Sequence, residues 1–167
     1  MNKTIAVCPG SFDPITKGHL DIISRSSKMF DKVIVVVMSN IYKTGSSFSV
    51  EQRKDMIRKS VTELDNIEVD SYDGLLADYA ALKGAHVIVK GLRAMSDFEY
   101  EFQMALANKK LNPELETVFL TTSAENMYLS SSMVKQIANM GGDISGFVPE
   151  SIYSDITEKL SDKKQEE

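Results

Sequence analysis

His19 closes the segment Pro9-Gly10-Ser11-Phe12-Asp13-Pro14-Ile15-Thr16-Lys17-Gly18-His19, which follows a short apolar run. Two prolines and a glycine make this turn rigid, and Gly18 lets backbone approach a ligand closely. The spacing puts His19 in the first turn of the next helix, where free N–H groups and the positive dipole end favour an anion. An imidazole there can donate to phosphate oxygens. The segment is neither G-x-x-x-x-G-K-[ST] nor a G-x-G-x-x-G dinucleotide turn. No acidic pair ends the preceding run, which disfavours a phosphoacceptor domain.

Similar groups recur after later apolar runs. Asn40, Tyr42 and Lys43 follow the second run, and Lys90-Gly91-Leu92-Arg93 places two cations around a glycine after the fourth. Ser130-Ser131-Ser132 offers hydroxyls and free N–H groups at a helix start. Taken singly, each has an ordinary structural explanation: a histidine near a cap, a solvated lysine, a solvated strand end, an N-cap. Gly74-Leu75-Leu76 reads as core packing. Taken together, Lys17, His19, Lys43, Lys90, Arg93 and Ser130 to Ser132 form a positive set suited to a polyphosphate. No Ser-His-Asp or Cys-His arrangement accompanies them, and Cys8 reads as a small buried hydrophobe.

The elements that position these groups alternate along the chain. Strands are predicted at Thr4 to Cys8, stopping at Pro9-Gly10, then at Lys32 to Met38, Ile67 to Ser71, Val87 to Lys90 and Thr117 to Thr121. Helices are predicted at Gly18 to Phe30, after Ser49 with Gln52 in capping-box spacing, and at Leu75 to Lys83 before Gly84. Further helices are predicted after Ser96 with Glu99 in the same spacing, at Ser131 to Met140 before Gly141-Gly142, and after Pro149. Five strand–helix alternations with short connections predict an α/β fold: one doubly wound, Rossmann-like domain with a five-stranded parallel sheet and helices on both faces. The domain spans residues 1–160, and the polar tail 161–167 frays. In such a fold, ligands bind beyond the carboxyl ends of the strands at the topological switch point. All the groups named above map there.

Composition bounds the function. The 167 residues include 19 basic and 24 acidic side chains, for a net charge of −5. This acidic balance disfavours general binding to nucleic acid or to an anionic membrane. One cysteine and two histidines make neither a disulfide within the chain nor a zinc site. The longest apolar run, Val33 to Met38, is far short of a membrane span, and the N-terminus does not read as a signal peptide. The expected setting is the cytoplasm.

These landmarks, with Asp97-Phe98-Glu99-Tyr100-Glu101 and Pro113-Glu114-Leu115-Glu116 in the same order and spacing, carry a resemblance from Ile5 to about Leu160. The chain resembles the T/H-x-G-H nucleotidyltransferase superfamily and, within it, the bacterial phosphopantetheine adenylyltransferase family. The resemblance implies direct in-line attack of 4′-phosphopantetheine on the α-phosphorus of ATP, giving 3′-dephospho-coenzyme A and pyrophosphate in the penultimate step of coenzyme A biosynthesis. It implies magnesium arriving with ATP, no dedicated metal site, and a homo-oligomer, typically a hexamer. It also implies roles by position. His19 stabilises the α-phosphate, while Ser11 orients the attacking phosphate and lies near ATP with Phe12. Lys43 neutralises the attacking phosphate. Gly91, Leu92 and Arg93 line the ATP site, with Arg93 reaching the phosphates, and Glu101 contacts the nucleotide. Asn126, Met127, Tyr128, Leu129, Ser130, Ser131 and Ser132 hold adenine and the β/γ-phosphates. Leu76 touches the pantetheine arm and Lys90 the second substrate.

Three positions depart from the family's usual pattern. Ser11 stands where many relatives have Thr, Lys90 where Arg is usual, and Asn126 where some have an aromatic residue. The hydroxyl and the charge are kept, but the bidentate fork is not. Two rival readings remain at this point. One is a nucleotidyltransferase acting on another phosphate, although a nicotinate mononucleotide enzyme more typically has His where this chain has Thr16. The other is a nucleotide-binding sensor without turnover.

Overall fold

The computed structural model describes residues 3–38 and 45–161. Lys32–Met38 forms a strand with five consecutive buried aliphatic residues, Val33 to Val37. A run apolar on both faces belongs inside a parallel sheet covered on both sides. The strands are β1 (Ile5–Gly10), β2 (Lys32–Met38), β3 (Ile67–Tyr72), β4 (Val87–Leu92) and β5 (Glu116–Thr121). They make one sheet in the order β3-β2-β1-β4-β5, with every pairing parallel.

Among the described residues six α-helices connect or follow the strands: α1 (Lys17–Ser27), α2 (Val50–Ser60), α3 (Leu76–Lys83), α4 (Met95–Leu111), α5 (Ser131–Asn139) and α6 (Tyr153–Ser161). Successive strand residues face opposite sides, and the core divides accordingly. Ala6, Cys8, Val33, Val35, Val37 and Val89 pack with Ile22 and Ile23 of α1, Met56 and Ile57 of α2, Val134 of α5 and Ile156 of α6. Val7, Ile34, Val36 and Ile88 pack with Ala77, Tyr79 and Ala80 of α3. The expected doubly wound α/β architecture is therefore present.

The chain winds outward from β1 to β3 and then returns to β4, so the switch point lies between β1 and β4. There β1 pairs with β4 only at Ala6 and Val7, whereas it pairs with β2 along its whole length. The β4 ladder stops before the carboxyl end of β1. This explains why β1 continues through Pro9 and Gly10, which pair in register with Val36 and Val37. Proline has no N–H to give, and on the β4 side none is required.

Other boundaries shift for local reasons. α1 starts at Lys17 and ends at Ser27, where the N–H of Lys28 turns back onto Arg25 and Ser26 carbonyls. α4 begins at Met95 with Ala94 in the cap position, instead of being capped by Ser96. The first-turn acid Asp97 suits the helix dipole there, and Arg93 donates to it at 3.1 Å. The Ser49–Gln52 capping box is present as expected, and Gly84 takes the left-handed conformation after α3. Pro149 leads into a 3₁₀ turn, Glu150–Ile152, before α6. α6 reaches Ser161, one residue into the expected tail, and 162–167 lie outside the described residues.

Candidate functional site

The first turn of α1 sets the state of His19. Thr16 is its N-cap: the Thr16 hydroxyl accepts from the His19 N–H at 3.3 Å, and the Thr16 N–H donates to His19 Nδ1 at 3.0 Å. This is a capping box in which imidazole replaces the usual Glu or Gln. A nitrogen that accepts carries no proton, so the neutral ring bears its hydrogen on Nε2. The ring is half-buried, edge-on to Phe12 with centroids 5.2 Å apart. Burial, reinforced by the charges of Arg93 and Lys90, lowers its pKa from 6.5 to about 4. His19 is thus a neutral donor held in one tautomer between two cations.

The loop before α1 is clamped from three directions. Arg53 of α2 donates to the Ser11 carbonyl at 2.9 Å. Buried Asp13 accepts from the backbone N–H groups of Ser47 and Phe48 at 3.1 and 2.9 Å, and from Lys135 of α5 at 2.7 Å. Ser131 donates to the Pro14 carbonyl at 2.7 Å. Burial alone would raise the Asp13 pKa, but Lys135 and the two N–H donors outweigh it, and the net shift is downward. The Asp13–Pro14 peptide is cis, and Phe12 has φ = 45°. The Phe12 ring is buried and lies over Gly10.

The β4 end supplies the cations. Arg93 is partly exposed and holds Asp97 on one side and the Leu129 carbonyl, at 2.9 Å, on the other. That second bond ties the β4 loop to the segment leading into α5. Lys90 pairs with Glu101 of α4 at 3.1 Å, both side chains largely buried. Gly91 packs directly under α1, where a Cβ would come within 2.8 Å of Ile22 Cγ1. Its lack of a side chain serves helix–sheet packing, which brings α1, and with it His19, down onto β4.

The segment after β5 completes the rim. Asn126 donates to the Ser123 hydroxyl at 2.8 Å and lies beside Gly18, whose Cβ would stand 3.6 Å from Asn126 Cβ. Met127 and Tyr128 are exposed, Leu129 is buried, and Ser130 caps α5 by accepting from the Met133 N–H at 3.1 Å. Ser132 is exposed in the first turn.

The structure therefore gathers Ser11, Phe12, His19, Lys90, Gly91, Arg93, Glu101, Asn126 and the Ser130–Ser132 turn around the β1/β4 switch point. It does not gather everything. Lys17 turns away and donates to the Ser145 carbonyl. Leu76 opens α3, beyond the edge strand β3, and packs partly buried against the second core beside exposed Leu75. Phe12 and Leu129 are buried and present no side-chain surface to a ligand. Lys43 lies outside the described residues, and with it Asn40 and Tyr42. Among the described residues no group of three His, Cys, Asp or Glu side chains is arranged to hold a metal ion. Sequence reasoning missed Asp13, Arg53, Lys135 and the tautomer-setting role of Thr16. Only Thr16 left a signal, standing three residues before His19 in capping-box spacing.

Comparison with known proteins agrees with this geometry. The cytidylyltransferase-like family profile matches residues 7–137. A phosphopantetheine adenylyltransferase from Clostridium tetani is 57% identical over 159 residues, covering 95% of this chain and 99% of the relative. One from Finegoldia magna is 53% identical over 163 residues, covering 98% and 100%. Among solved structures, a nicotinate-nucleotide adenylyltransferase from Vibrio parahaemolyticus, so described, superposes with a TM-score of 0.67 at 19% identity, covering 95% of each chain. That last likeness speaks to the fold alone.

Proposed function

The chain belongs to the phosphopantetheine adenylyltransferase family of cytidylyltransferase-like proteins, and we propose that the β1/β4 crevice is where it performs that family's reaction. It transfers AMP from ATP to 4′-phosphopantetheine, giving 3′-dephospho-coenzyme A and pyrophosphate. A phosphate oxygen of the acceptor forms the new bond to the α-phosphorus. The bond from that phosphorus to the bridging oxygen breaks, and its electron pair leaves with pyrophosphate. Among the described residues the site offers no activated nucleophile, so catalysis rests on positioning and charge stabilisation.

The observation that carries the reading is His19: a neutral Nε2–H donor at a helix N-terminus, flanked by Arg93 and Lys90. In the proposed mechanism it donates to an α-phosphate oxygen as negative charge gathers there. Arg93 and the Ser130–Ser132 turn take the β/γ-phosphates, with Asn126, Met127, Tyr128 and the Leu129 backbone on the nucleotide side. The Phe12 backbone and Gly91-Leu92 line the nucleotide as well. Ser11 and Lys43 orient the attacking phosphate, Lys90 binds the acceptor, Leu76 meets the pantetheine arm, and Glu101 contacts the nucleotide. ATP enters as its magnesium complex, the metal carried by the triphosphate oxygens.

The same reading puts the enzyme in the cytoplasm. Among the described residues no helix is long and apolar enough to cross a membrane. It also makes the protein a homo-oligomer, on the hexameric pattern. Supporting that, α4 leaves Phe98, Tyr100, Phe102, Met104 and Leu106 exposed, more apolar surface than one helix of a monomer usually shows. Sedimentation velocity tests the assembly. The activity is tested by incubating the protein with MgATP and 4′-phosphopantetheine and following both products. Matched formation supports the reading. ATP binding without turnover would favour a sensor, and turnover only with another phosphate would favour a sister specificity.

A further inference from the structure

Arg53 is a buried cation, 6% exposed, one turn into α2. Its Nη1 donates to the Ser11 carbonyl at 2.9 Å and its Nε to the Ser49 carbonyl at 3.4 Å. Among the described residues no carboxylate forms an ion pair with it, whereas Lys135, Lys90 and Arg93 all have one. A positive charge near a helix N-terminus opposes the dipole, and a buried charge without a counter-charge is unfavourable. A flexible apolar side chain of similar length would suit a position next to Met56 and Ile57 better. Stability therefore does not account for an arginine here.

The bond to Ser11 does account for it. The Ser11 carbonyl belongs to the Ser11–Phe12 peptide, which is trans. In a planar trans peptide the C=O and the N–H point in opposite directions. Holding the Ser11 oxygen against α2 therefore turns the Phe12 N–H away from α2. That N–H has no acceptor among the described residues. Phe12 also has φ = 45°, a conformation an aromatic residue adopts only when its surroundings impose it. Its ring lies against His19, so the free N–H stands in the loop that meets the His19 donor.

We propose that Arg53 is a positioning residue that fixes the Ser11–Phe12 peptide so that the Phe12 N–H is presented, together with His19, to the phosphate being transferred. This rests on the adenylyl-transfer reading of the same crevice.

Steady-state kinetics with MgATP and 4′-phosphopantetheine, alongside thermal melting, test it on the wild type, Arg53→Met and Arg53→Lys. Arg53→Met is expected to lower kcat by roughly 10- to 100-fold, the scale of a small misplacement of reacting groups. Both KM values should change less than about threefold, and Tm should hold or rise. Arg53→Lys keeps the charge but lacks the planar fork that reaches both carbonyls at once, so its kcat should fall in between. Unchanged kcat in Arg53→Met would overturn the proposal, as would a fall in kcat matched by a fall in Tm. If Arg53→Met does not fold, Arg53→Lys decides: reduced kcat at unchanged Tm supports the role, and wild-type kcat overturns it. A wild type that makes neither product brings down the adenylyl-transfer reading as well, whereas an active wild type with indifferent variants overturns this inference alone.

Discussion

Replacing His19 with alanine removes one hydrogen-bond donor, and the structure says which donor it is. The Thr16 N–H occupies Nδ1 at 3.0 Å, so the proton stands on Nε2. Burial, Arg93 and Lys90 hold the pKa near 4, so the ring is neutral across the working range. Loss of a preorganised donor to a developing oxyanion lowers kcat by about 10²–10³, or roughly 2.7–4 kcal/mol of transition-state stabilisation. Rapid-quench single-turnover measurement of pyrophosphate release isolates the chemical step. The pH profile of kcat/KM adds an independent check, because it reports the free enzyme. A neutral His19 contributes no limb near pH 6.5. An acid limb there that disappears in His19→Ala would refute the neutral-ring argument. Near-wild-type single-turnover rates in His19→Ala would refute the donor role itself.

Three further outcomes follow from the geometry. Asp13→Asn removes the charge that Lys135 and two backbone N–H groups hold, and urea unfolding should show a loss of about 1–3 kcal/mol at pH 7. The Asp13 pKa is depressed in the folded state, so its contribution is present above the unfolded value near 3.9 and lost as pH falls through the folded one. The stability gap between wild type and Asp13→Asn should therefore narrow only below about pH 4. Gly91→Ala places a Cβ 2.8 Å from Ile22 Cγ1 and should destabilise by roughly 1–3 kcal/mol. Adding Ile22→Val should recover part of that loss, measured by the same unfolding curves. Lys90→Arg should keep or lower KM for 4′-phosphopantetheine, since a guanidinium can serve Glu101 and a phosphate together. A tenfold rise would contradict Lys90's place on the acceptor.

The sheet was legible because its signal is dense. Val33 to Val37 is β-branched throughout, and Ser49 with Gln52 writes its helix start twice, once in each partner of the box. Boundaries were less legible where a partner strand or a remote side chain decides them. Nothing local says that β4 pairs with β1 at Ala6 and Val7 alone, and that limit is what lets Pro9 and Gly10 stay in the strand. Nothing local says that Asp97, not Ser96, suits the start of α4, because Arg93 and the helix dipole favour it together.

The site divides along the same line. The groups proposed to meet a ligand sit at strand ends and helix starts, where sequence position nearly fixes spatial position, so the placement of His19, Arg93 and Ser130 to Ser132 at one edge could be read directly. Groups that hold those groups in place act across long stretches of chain: Arg53 on Ser11 spans 42 residues, and Lys135 on Asp13 spans 122. Their types also mislead, since Arg53 reads as an ordinary charge on an amphipathic helix until its burial is known. Yet they fix the two properties on which the proposed chemistry depends. The clamp on Ser11, Asp13 and Pro14 holds the loop that carries the backbone donor, and the short helix cap at Thr16 chooses the nitrogen of His19 that donates. In the proposed reading an acidic chain binds a polyphosphate here through a few donors whose direction is set in advance, with burial and the neighbouring cations keeping the imidazole neutral.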